Sequence, residues 1–65
     1  MRWKKFNPNA LPGEEVLAKD SRGNVLVGWL RSENGGECGD GNTCIQGVTH
    51  YITVKDLLDL KNNIK

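Results

Sequence analysis

Residues 15–31 read Glu15-Val16-Leu17-Ala18-Lys19-Asp20-Ser21-Arg22-Gly23-Asn24-Val25-Leu26-Val27-Gly28-Trp29-Leu30-Arg31, and this stretch decides the fold. Two apolar runs, the second rich in β-branched and aromatic residues, flank Ser21-Arg22-Gly23. Glycine at position 23 suits the positive φ that a short hairpin turn demands, so the stretch predicts a β-hairpin. In the second run Val25, Val27 and Trp29 share one face while Leu26 and Leu30 share the other. Apolar residues on both faces predict a central strand covered on two sides.

Outward toward the C-terminus, Thr43–Val54 predicts a third strand, bent at Gly47. Its alternation places Val48, His50, Ile52 and Val54 on one face and Thr49, Tyr51 and Thr53 on the other. The period then changes. Thr53 is a helix cap with Asp56 at the capping-box position, and Leu57, Leu60 and Ile64 recur at i, i+3 and i+7, with Leu58 widening the stripe. The spacing predicts an amphipathic helix over residues 54–63, short enough that it must dock to persist. Toward the N-terminus, Asn7-Pro8-Asn9 and Leu11-Pro12-Gly13 exclude a regular helix. The expected fold is therefore α+β: one small β-rich domain over residues 1–65, with about three antiparallel strands and the C-terminal helix packed on the sheet. Residues 33–43 are read as a flexible, acidic, Gly-rich loop, since four of the ten residues 33–42 are glycine. Such a loop is expected to tolerate deletion of Gly35–Gly41.

The chain has 65 residues, 37% hydrophobic and 26% charged, with a net charge of +1. That is too apolar for a disordered chain and too neutral for a dedicated polyanion binder. The charge is uneven: residues 1–31 carry six bases against three acids, whereas residues 32–54 carry three acids and no base. No apolar run approaches the ~18–20 residues that span a bilayer, and no ~7–15-residue apolar stretch follows the basic N-terminus as in a signal peptide. These features predict a cytoplasmic protein that does not engage membranes and whose two cysteines, Cys38 and Cys44, stay reduced.

Three pieces carry a resemblance: Trp3, then Leu11-Pro12-Gly13-Glu14-Glu15-Val16-Leu17, then Gly47-Val48-Thr49-His50-Tyr51. Together they resemble a family of short phage and prophage proteins of unknown function, which opens with a Trp, passes through a Leu-Pro turn into a Val-Leu strand, and closes with Val-Thr-His-Trp. Here Tyr51 stands in place of that last Trp, and a helical stretch replaces the family's proline-rich ending. The resemblance implies a compact β-rich fold and a mobile-element origin, and no biochemical activity.

Cys38, Cys44 and His50 are the candidate metal ligands, with Asp40 available as a fourth. Their C-x5-C and x5-H spacings depart from those of structural zinc sites, so Cys44 reads as a buried apolar residue and Cys38 as a loop thiol. Glu33, Glu37, Asp40 and Asn42 lack the calcium-loop pattern, and the glycines lack the phosphate-loop pattern. His50, between Val48 and Ile52 on its face, reads as a packed core histidine and not as half of a Cys-His pair. No catalytic constellation and no cofactor site emerge, so the chain is read as non-catalytic. The preferred function is an accessory protein that contacts an unidentified protein partner or self-associates as a homo-oligomer. The alternative is a single-stranded nucleic-acid module using Arg2, Trp3, Lys4 and Lys5, with Phe6 close by. A pI of 7.8 falls below the ~9 typical of such binders, and the competing reading buries Trp3 and Phe6 in the core.

Overall fold

A computed structural model describes residues 2–63, with side chains through Asp59. It contains six strands and one α-helix: β1 (Lys4–Lys5), β2 (Val16–Asp20), β3 (Val25–Arg31), β4 (Glu37–Gly39), β5 (Cys44–Gln46), β6 (Val48–Thr53) and α1 (Val54–Asn63), with a 3-10 turn at Glu33–Gly35. All pairings are antiparallel, in the order β1-β6-β2-β3-β4-β5.

The hairpin forms as the sequence predicts. Val16 pairs with Gly28 and Lys19 with Val25, and Gly23 has φ +89° in the turn. The Asp20 carboxylate accepts bonds from the Arg22 and Asn24 backbone amides, both at 2.9 Å, and from the Asn24 side chain at 3.1 Å. At Gly28 the strands run so close that a Cβ would overlap the carbonyl oxygen of Gly39 on β4.

The order of strands requires the sheet to curl. In a flat sheet β5 and β6 would lie four strand spacings apart, about 19 Å. A single residue, Gly47, joins them, and two peptide steps reach no more than about 7 Å. Gly47 turns this corner with φ +72°, and the Val48 amide donates to the Gly36 carbonyl, at 3.0 Å, just ahead of β4. The sheet thus has an inner and an outer face. Val16, Ala18, Leu30, Cys38, Val48 and Tyr51 form the inner core, with Phe6 and Ile45 packed against it.

Several expectations require correction. There are six strands rather than three. Residues 33–43 are not one loop: they hold the 3-10 turn and β4, which pairs with both β3 and β5. The segment 43–54 is two strands that meet at Gly47. The two cysteines exchange places relative to expectation, Cys38 being fully buried and Cys44 exposed. The register shifts between Lys19 and Asp20, so that Lys19 pairs with His50 but Asp20 with Val48. Thr49 is the extra residue of this bulge. It turns Val48 inward beside Tyr51 and leaves His50 half-buried on the outer face instead of in the core. The strand β3 is central but covered on one side only.

At the C-terminal junction, Thr53 caps α1: its Oγ1 accepts the Asp56 backbone N–H at 3.1 Å. The helix leans mainly on β6, and Leu57 is half-buried whereas Leu58 is exposed. The side chains of Leu60 and Ile64, assigned above to the apolar stripe, lie outside the described residues.

Candidate functional site

Alternation along β2 and β3 sends Val16, Ala18, Leu26 and Leu30 inward and Leu17, Lys19, Val25, Val27 and Trp29 outward. The outward residues of β3 stay open to solvent: Val25 is 56% exposed, Val27 45% and Trp29 53%. Three neighbouring large apolar side chains on one strand face are an exposed patch rather than scattered apolar residues. Across the sheet the register sets rows on this face. Lys5, His50, Lys19 and Val25 form one row, and Ile52, Leu17 and Val27 form the next. The row of Trp29 contains Gly39 and Cys44, so glycine leaves the indole without a side chain beside it on β4. Lys19 crosses this face to place its Nζ 4.6 Å from the Trp3 ring centre, a cation–π contact.

The segment proposed for nucleic acid is divided by this arrangement. Trp3 is half-buried, outside the inner core and beneath Lys19, while Phe6 packs against that core. Lys4 and Lys5 alternate on β1: Lys5 lies opposite His50, and Lys4 lies opposite Tyr51 with its Nζ 3.7 Å from Asp56 Oδ2. Arg2 is exposed. One base is therefore engaged by a carboxylate and the nearest aromatic ring is already stacked by an ammonium.

The three candidate metal ligands are not brought together. Cys38 faces the core and its Sγ lies 3.7 Å from the Leu26 carbonyl oxygen, whereas Cys44, paired with Gly39, faces outward. His50 stands on β6, with Nδ1 3.0 Å from Thr49 Oγ1. Among the described residues, no three His, Cys, Asp or Glu side chains cluster in a way that could hold a metal ion. Burial, reinforced by the Asp40 carboxylate, pushes the Cys38 thiol above its ordinary pKa and keeps it protonated. A polar cleft of about 480 Å³ between the β2–β3 turn and β5 is lined by Asp20, Arg22, Asn24, Cys44 and Gln46. Among the described residues, the one carboxylate that lines it, Asp20, is spent on the turn and no histidine lines it, so none of them gives Cys44 a base there.

Sequence reasoning missed the open face because it counted apolar residues on both sides of β3. Alternation shows which residues share a face but not what lies over that face. Compared with family models, curated proteins and solved structures, the chain matches none of them. No helix among the described residues is long and apolar enough to cross a membrane.

Proposed function

We propose that this is a non-catalytic contact protein, a cytoplasmic accessory protein of a phage or other mobile element, which binds another protein chain through the outer face of β3. The observation that carries this reading is the solvent exposure of Val25, Val27 and Trp29 along a strand whose other side builds the core. Side chains left half in water gain about 25 cal/mol for each Å² of apolar area that a partner covers, and tryptophan is among the residues that most often anchor such contacts. The motif resemblance supports the mobile-element origin. The helix, capped by Thr53, serves in this reading as a support for β6 and the sheet edge.

A photo-crosslinking amino acid at position 25 tests the proposal in the native host. Irradiation is expected to yield protein adducts that are absent when the same group stands at Asn9, an exposed turn residue outside the strands. Adducts to nucleic acid, or no adduct from position 25, would overturn the protein-contact reading.

A further inference from the structure

Resting on the protein-contact reading, we propose that the occupant of this face is a second copy of the chain, stacked sheet on sheet about a two-fold axis that runs across the strands at Leu17 and Val27. The charge pattern points to this partner. Lys19 shares the row of Val25. Glu15, exposed and one residue before Val16, shares the row of Trp29 by continuation of the Val16–Gly28 pairing. Rotation about the Leu17–Val27 row lays β2 over β2 and β3 over β3 in opposite directions. Val25 then meets the second copy's Trp29, a small side chain against a large one, and Lys19, whose ammonium lies over Trp3 of its own chain, comes opposite the second copy's Glu15. Symmetry makes both contacts twice. Within one chain, Lys19 and Glu15 are four extended residues apart, about 13 Å, too far to pair. Their opposite signs at opposite ends of the apolar strip find a use when the face meets its own copy.

Area fixes the strength. The chain exposes 4648 Å² in all, and the patch consists of three partly exposed side chains and their rim. That is well below the ~800 Å² per partner of a standard stable interface, so the self-contact is weak and exchanging. The expected dissociation constant for the self-contact is about 10 μM to 1 mM.

Sedimentation equilibrium of the full chain tests the inference. The weight-average mass is expected to rise from 7.2 kDa toward twice that value as concentration passes through that range. Lys19→Glu alone and Glu15→Lys alone should each weaken association by about tenfold, equivalent to about 1.4 kcal/mol. The double swap K19E/E15K should restore it to within about threefold, a rescue that a purely structural role for either residue would not produce. Trp29→Ser should abolish association with little change in the thermal melt. A mass of 7.2 kDa at every concentration, or a double swap no better than the single variants, overturns the self-pairing. A position-25 adduct to a different protein would then leave the contact reading standing without it.

Discussion

Cys38 and Cys44 lie six residues apart yet occupy opposite environments, because β4 and β5 pair with Cys38 opposite Ile45 and Cys44 opposite Gly39. Cys38 has no solvent exposure and a thiol held protonated by burial and by Asp40; Cys44 is exposed. Thiol reagents act on an accessible thiolate, so in the native protein one thiol should react promptly and the other only on unfolding. Stoichiometric labelling with an aromatic disulfide should therefore show one fast thiol, removed by Cys44→Ser, and a second that appears with the urea transition. Two fast thiols would place Cys38 outside the core. Neither assignment was legible in the sequence. Three residues are too few for alternation to reveal an inward position, and the surrounding glycines read as loop.

The legible elements are those long enough to carry a period. β2, β3, the turn at Gly23, the Thr53 cap and helix 54–63 all follow from residue pattern. β1, β4 and β5 have two or three residues each and exist because neighbours pair with them. The β-bulge at Thr49 is likewise a product of pairing, and it inverts the facing of Val48 read from alternation alone. The consequence for the segment 33–43 is sharp. Replacing Gly35–Gly41 by two residues would remove β4, the buried Cys38 and the Gly36 carbonyl that anchors Val48. A domain of this size holds only about 3–5 kcal/mol of stability, and loss of one buried core side chain commonly costs about 2–5 kcal/mol. The deletion should abolish cooperative thermal unfolding by circular dichroism. A melt like that of the parent would mean β4 contributes nothing to the core.

At the scale of the molecule, a 65-residue chain curls one sheet around a single core and leaves most of the outer side of β3 to solvent. With so few residues inside, the turns carry a large share of what fixes the sheet, and two of them depend on a carboxylate. Asp20 organises the β2–β3 turn, and Asp40 organises the β4–β5 turn by accepting the Asn42 and Thr43 amides, both at 2.8 Å. Partial burial raises the Asp20 pKa, but bonds from Asn24 and Arg22 outweigh it and the carboxyl is held below its usual value of 3.8. The Thr43 and Asn42 amides likewise hold Asp40 below 3.8. A carboxylate whose pKa is lower in the folded chain than in the unfolded one stabilises the fold fully above the unfolded value. That stabilisation is lost as pH falls from about 4 through the lower folded values. The melting temperature should therefore be flat near neutrality and drop below about pH 4. Asp20→Asn keeps an oxygen acceptor but cannot titrate, so it should lower the neutral melting temperature and flatten the acid decline. An equally steep decline in both Asp20→Asn and Asp40→Asn would show that the turn carboxylates do not govern acid stability.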